Sequence, residues 1–261
     1  MGREFNLMVA PNGARLTKAQ HTGVPISPTE LAQTAEACFG EGARAIHLHV
    51  RDGAQQHSLD AGRYRAAIAA IKETVPDMKI QVSTEAAGIF TVAEQIHCLK
   101  TLRPSAASVS VREIARDPDL VREAYAVATD CGTEIEHILY APDDLYLLMQ
   151  GFENGSIPDT QRRVLFVLGR YSETRTSQIS DLTPFLDAQK GQDLQWSVCA
   201  FGPFEGDCLL HAIENGGNAR IGFENNTIAP DGQPFSDNAA SVANLVSAAR
   251  KLGHHPTKAA V

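Results

Sequence analysis

The chain has 261 residues, 43% hydrophobic and 21% charged, with a formal net charge of −8. That is the composition of a globular protein, long enough for one α/β barrel of about 250 residues. The acidic balance disfavours nucleic acid or an anionic membrane as partner, while a local cluster of arginines still suits an acidic small molecule.

The five cysteines are scattered and lack CxxC spacing, which reads as free thiols in a reducing compartment. The first residues lack the apolar region of a signal peptide, and no run approaches a membrane span. The cytoplasm is the expected location.

Strand-like runs follow one another along the chain. The first, at residues 7–10, leads through Pro11-Asn12-Gly13 into a loop. A helix then opens at Ser27-Pro28-Thr29-Glu30, where Ser27 can cap, Pro28 suits the first turn and Glu30 completes a capping box. It is expected to stop at Gly40. The second run, residues 45–52, alternates strictly and ends in the Asp52-Gly53 turn signal. A helix over 61–74 ends before Pro76. Further runs fall at 79–85, 106–111, 134–140, 163–168, 194–200 and 219–223, with helical stretches near 92–102, from Asp117-Pro118, and over 237–252.

Each gap is long enough for a crossover helix, so the strands are parallel βαβ units. Eight in sequence predict a single closed (β/α)8 TIM barrel over residues 1–261. No glycine-rich dinucleotide fingerprint follows the first strand, against a Rossmann fold.

Chemistry in such barrels sits at the carboxyl ends of the strands. Here those ends carry His47, His49 and Arg51; Ser83, Thr84 and Glu85; Ser108, Ser110, Arg112 and Glu113; and Glu224, Asn225 and Asn226. Period-two alternation puts His47, His49 and Arg51 on one face, with the two histidines roughly 6.5 to 7 Å apart along the strand. Their rings can lean onto one ion. Glu224, at the end of the eighth strand, can reach them across the barrel mouth. Two neutral imidazoles and a carboxylate form a three-ligand site with an open position, as in catalytic zinc centres. His137 is an alternative third ligand, although it sits mid-strand. Asp52 suits the turn or the orientation of a histidine. His57, His97, His211, His254 and His255 read as surface residues.

These motifs carry a family resemblance. The chain resembles the β-keto acid cleavage enzymes, relatives of 3-keto-5-aminohexanoate cleavage enzyme, over nearly its whole length. The resemblance rests on Pro28-Thr29-Glu30, His-Leu-His-Val-Arg-Asp at 47–52, Gln81-Val82-Ser83-Thr84, residues 165–169, Trp196-Ser197-Val198 and residues 216–226. It implies a zinc barrel (another divalent metal being possible) that condenses a β-keto acid with acetyl-CoA, giving acetoacetate and a new acyl-CoA. It implies His47, His49 and Glu224 as metal ligands, with Ser83, Arg220 and a hydroxyl of Ser108 or Ser110 lining the site. A homo-oligomer, dimer or tetramer, is the expected assembly.

The chain departs from the family pattern in three places. The family assigns proton transfer to an aspartate after the glutamate ligand, but Asn225 stands there and cannot act as a general base. Glu85-Ala86 replaces the glycines that often follow the Ser-Thr pair. Glu85, on the same strand face as Ser83, is one candidate for the missing carboxylate; Glu113 is another. Where an amino-substrate member of the family has an acidic residue after Gly-Ala in the first loop, this chain has Gly13-Ala14-Arg15. Arg15 suits a carboxylate or a neutral polar group better than an ammonium. Thr84 and Asn225 complete the expected substrate-binding set. The competing readings are a metal-dependent hydrolase on the same barrel, and a metabolite-binding relative that lost its base.

Overall fold

Eight parallel strands close on themselves in the computed structural model of the chain, which describes residues 2–170, 174 and 176–258. They are β1 (Leu7–Val9), β2 (Ala45–Leu48), β3 (Lys79–Ser83), β4 (Ala106–Ser110), β5 (Glu134–Leu139), β6 (Arg163–Leu168), β7 (Gln195–Ala200) and β8 (Asn218–Ile221). Each pairs with the next, and β8 pairs with β1 to complete the ring. The helices α1 (Pro28–Glu41), α2 (Ala61–Thr74), α3 (Val92–Leu102), α4 (Val121–Cys131), α5 (Pro142–Glu153), α6 (Thr183–Ala188), α7 (Glu205–Glu214) and α8 (Asn238–Lys251) come after the strands in turn. The expected (β/α)8 barrel is the observed one.

Strand alternation sorts the core into two parts. Ile46, Leu48, Val82, Val109, Ile135, Val164, Phe166, Val198 and Ile221 face outward and pack against the helices. Each such side chain contributes about 1.5–3 kcal/mol when fully buried. The inner faces are divided. β5, β6 and β7 supply an apolar wall of Ile138, Leu165, Val167 and Cys199, which Phe201 extends. Opposite it stand the buried polar side chains of His47, Gln81, Ser83, Ser108 and Arg220. The site lies on that polar side.

α1 opens as its sequence predicts. The Ser27 hydroxyl accepts the Glu30 N–H, and the Glu30 carboxylate accepts the Ser27 N–H at 2.9 Å. It ends later than expected, because Gly42 rather than Gly40 takes the left-handed φ of 116° that turns the chain out.

Three features depart from the strand pattern. The run at 45–52 is not one strand: the barrel strand stops at Leu48, and Val50–Arg51 pairs antiparallel with His57–Ser58. The carbonyl of His49 instead accepts the Asn12 amide at 3.1 Å. The eighth strand ends at Ile221, so Glu224 sits in the turn beyond it. Glu4–Phe5 also pairs in parallel with His255–Pro256, outside the barrel. His254, read as a surface residue, is buried beside that pair and accepts the Arg3 N–H. No helix among the described residues is long and apolar enough to cross a membrane.

Candidate metal centre and substrate cleft

His47 Nε2 and His49 Nε2 lie 3.1 Å apart, and each is 3.7 Å from Glu224 Oε2. A tetrahedral ion with bonds of about 2.0–2.1 Å separates its ligands by roughly 3.3 Å. The three edges bracket that value. Glu224 Oε2 is buried without a hydrogen-bond partner among the described residues, as an oxygen reserved for an ion would be. These three are also the one group of described residues that brings three metal-ligating side chains together. The donor set and its spacing fit a divalent cation.

The surroundings keep the ligands in their binding forms. Burial, followed by the charge of Arg220, pushes the His47 imidazole down to about 4, against the opposing pull of Glu224 and Gln81. Burial and the neighbouring His47 and His57 push His49 well below its ordinary value. Both imidazoles are therefore neutral at pH 7. Burial works to raise the Glu224 pKa, but Arg220, His47 and Arg170 outweigh it and keep the carboxylate ionised.

Two glycines let Glu224 reach this position. Gly222 turns the chain at φ 141°, and a Cβ there would stand 2.5 Å from the Ala10 carbonyl. The Glu224 N–H then donates to that carbonyl at 3.0 Å. Gly13, with φ 56°, passes so close that a Cβ would meet Glu224 Cγ at 2.6 Å. The Gly13 loop is held from behind by the buried Arg51 guanidinium, which donates to the Asn12, Gly13 and Leu16 carbonyls. Arg51 thus supports the loop rather than sharing the histidines' face.

The cleft above the trio is walled by the first loop (Asn12 to Leu16), Ser83, Glu85, Ile138, Tyr140, Val167, Arg170, Phe201 and Arg220. Arg220 Nη2 approaches Glu224 Oε1 at 3.5 Å and Cys199 Sγ at 3.4 Å. Its Nε and Nη1 are buried with no partner among the described residues. Burial disfavours its charge, but Cys199, Glu224 and Glu136 outweigh that and raise its pKa. A buried guanidinium with two donor nitrogens unsatisfied among the described residues has the chemistry to hold an anion. At the cleft mouth, Glu85 Oε1 meets Arg15 Nη1 at 2.6 Å and Arg170 Nη2 at 3.9 Å.

The other expected site residues are distributed differently. Thr84 is buried and its hydroxyl donates to the Ser108 carbonyl at 2.8 Å, away from the cleft walls. Ser108 and Ser110 point into the barrel with buried hydroxyls that have no partner among the described residues, but neither lines the cleft. Glu113 stands on a single turn (Val111–Ile114) after β4, where it accepts the Ala86 N–H and the Gln95 amide. It therefore anchors the loop that carries Glu85. Both amide atoms of Asn225 are buried and unpartnered among the described residues. His137 faces the helices, hydrogen-bonded by Tyr125 and the Gln161 carbonyl, and is no ligand of the trio.

A family model described as beta-keto acid cleavage enzyme matches residues 5–261. The chain belongs to the beta-keto acid cleavage enzyme family. Among its relatives is a 3-keto-5-aminohexanoate cleavage enzyme from Fusobacterium nucleatum, 27% identical over 249 residues, covering 92% of this chain and 89% of that one. A 3-oxoadipate:acetyl-CoA acetyltransferase from Cupriavidus necator is 25% identical over 264 residues, covering 95% and 89%. Among solved structures, ObcA in binary complex with oxaloacetate superposes with a TM-score of 0.74 at 16% identity. The match covers 91% of this chain and 66% of the longer ObcA chain, and it speaks for the fold alone.

In this beta-keto acid cleavage enzyme the structure also brings forward residues that sequence reasoning passed over. Arg170 stands two residues past the end of β6, and the rule that places chemistry at strand ends points to it. Gln81 shares its strand face with Ser83 and pairs in register with His47. His57, read as a surface residue, is buried with Nδ1 3.4 Å from His49 Nδ1. No local pattern signals it, because the hairpin that delivers it exists only where the second strand breaks.

Proposed function

We propose that this enzyme condenses a β-keto acid with acetyl-CoA, giving acetoacetate and a new acyl-CoA. His47, His49 and Glu224 hold Zn2+ or another divalent cation. The same proposal takes the chain as one barrel domain of a cytoplasmic homo-oligomer. The observation that carries it is the trio beside a buried Arg220 whose Nε and Nη1 face no partner among the described residues. Family membership and the acetyl-CoA transferase among its relatives support the acyl exchange.

A divalent cation at the trio supplies Lewis-acid polarisation of the substrate ketone. Arg220 directs its free N–H groups at the anionic end of the substrate and at negative charge that develops during reaction. The Ser83 hydroxyl, which accepts the Glu85 N–H at 3.2 Å, has its own proton to donate to the substrate. Ile138, Val167 and Phe201 keep water from one wall. Proton removal from the carbon between ketone and carboxylate needs a base. Once Glu224 is assigned to the cation, Glu85 is the carboxylate left among the described cleft residues. It takes that proton in our reading, with Glu113 behind it fixing the loop. Arg15 beside Glu85 turns the mouth away from cationic substrates.

A panel of β-keto acids tested with and without acetyl-CoA checks the proposal. Acetoacetate and acyl-CoA formed in equal amounts support it. Turnover without CoA would instead indicate a metal-dependent hydrolase, and no turnover with a bound metal a non-catalytic binder.

A further inference from the structure

Each imidazole of the trio has a second nitrogen, and both of these are engaged. His47 Nδ1 lies 2.7 Å from Gln81 Oε1, and Gln81 Nε2 donates to Glu136 Oε2 at 2.8 Å. A carboxylate oxygen accepts, so the amide must turn its nitrogen to Glu136 and its oxygen to His47. His47 therefore carries its proton on Nδ1. On the other side, His57 Nε2 lies 2.8 Å from the Glu85 carbonyl, which can only accept. His57 thus carries its proton on Nε2 and offers Nδ1 as an acceptor to His49 Nδ1. His49 is left with the same tautomer as His47. Two separate relays end in the same result: a lone pair on each Nε2, the two nitrogens facing each other at 3.1 Å. Such lone pairs repel unless a cation lies between them.

We propose that Gln81 and His57 are positioning residues that hold His47 and His49 as Nδ1–H tautomers, presenting both Nε2 atoms to one divalent cation. The inference rests on the metal-site reading above. Both relays are protected from water, since Gln81, Glu136 and His57 are all buried. Both also tie the metal site to the fold. The first reaches from β2 through β3 to β5. The second runs from β2 through the short hairpin to the main chain of the loop after β3. Because it ends on a carbonyl, the Glu85 side chain is left for its ion pair with Arg15. Groups that orient a metal-bound histidine in this way typically change metal affinity by about 10- to 100-fold when removed.

The test joins two readouts on the full chain. Long-range 1H–15N spectra of the metal-free protein report which ring nitrogen of each histidine carries the proton. Competition with a chelator reports Zn2+ affinity for wild type, His57→Leu, His57→Asn and Gln81→Met. The wild type should show His47 and His49 protonated on Nδ1. His57→Leu and Gln81→Met should each weaken Zn2+ by about 10- to 100-fold. His57→Asn can place an amide oxygen where Nδ1 stood and should lose less than about tenfold. A wild-type spectrum with His49 protonated on Nε2 overturns the proposal even where a variant fails to fold. Wild-type Zn2+ affinity in His57→Leu overturns the positioning role alone. A wild type that binds no Zn2+ overturns the metal reading beneath it.

Discussion

Arg15 Nη1 and Glu85 Oε1 stand 2.6 Å apart at the cleft mouth, so the first loop and the loop after β3 are closed onto each other by one ion pair. The pair joins the residue proposed to set substrate selectivity to the carboxylate proposed as the base. Arg15 is nearly half exposed, and exposed pairs contribute only about 0.2–1 kcal/mol to stability. Its substitution should therefore alter selectivity much more than folding.

Arg15→Glu sets two carboxylates where a pair of opposite charge stood. The ratio of kcat/KM for an amino-bearing β-keto acid over a neutral one should rise by about tenfold, a difference of about 1.4 kcal/mol. The unfolding midpoint should barely move. An unchanged ratio would show that Arg15 only decorates the surface.

Glu85→Gln keeps the size of the side chain and removes its basicity. Turnover should fall by at least about tenfold with metal content intact, a floor below the usual range for a lost general base. Asn225→Asp, which restores the aspartate that the family resemblance places after the glutamate ligand, should be tolerated. If Glu85→Gln matches wild type while Glu113→Gln is inactive, the base belongs on the turn after β4. If both variants are active, the proton leaves without a side-chain carboxylate.

His137 gives a pH signature independent of the metal. Burial pushes its pKa from an ordinary 6.5 to about 4, with the Gln161 carbonyl opposing. Between those values the unfolded chain holds a proton that the folded chain lacks. His137 therefore adds stability above pH 6.5 that drains away as the pH falls and is gone below about 4. One proton corresponds to a slope of about 1.4 kcal/mol per pH unit. Urea unfolding of wild type and His137→Gln at several pH values should show slopes differing by about that amount in this window. Parallel slopes would contradict it.

Much of this was legible in the chain because the relevant periodicities are local. Alternation at 45–48 and 79–83 sorts outward apolar from inward polar side chains without reference to the rest of the fold, whereas at 134–139 an outward His137 and an inward Ile138 break that rule. His47, His49 and Glu224 follow from strand ends and ring closure. What escaped depends on breaks in regularity. The Asn12 amide takes the His49 carbonyl, which ends β2 early and frees Val50–Arg51 to form the hairpin that buries His57. The same break turns Arg51 off the face that strict alternation would give it beside the histidines. Gly222 turns β8 after Ile221, so Glu224 belongs to a turn and not to the strand. The Arg15–Glu85 pair joins two loops far apart in sequence, and no spacing rule reaches that distance.

That three side chains hold one cation is tested most directly by the metal content of a purified His49→Ala variant. Barrel stability resides largely in packing below the mouth, so the variant should fold with an unfolding midpoint close to that of metal-free wild type. It should contain almost no Zn2+, where wild type contains one ion per chain, and it should form no acyl-CoA. A folded His49→Ala protein with a full complement of metal would contradict the assignment of His47, His49 and Glu224.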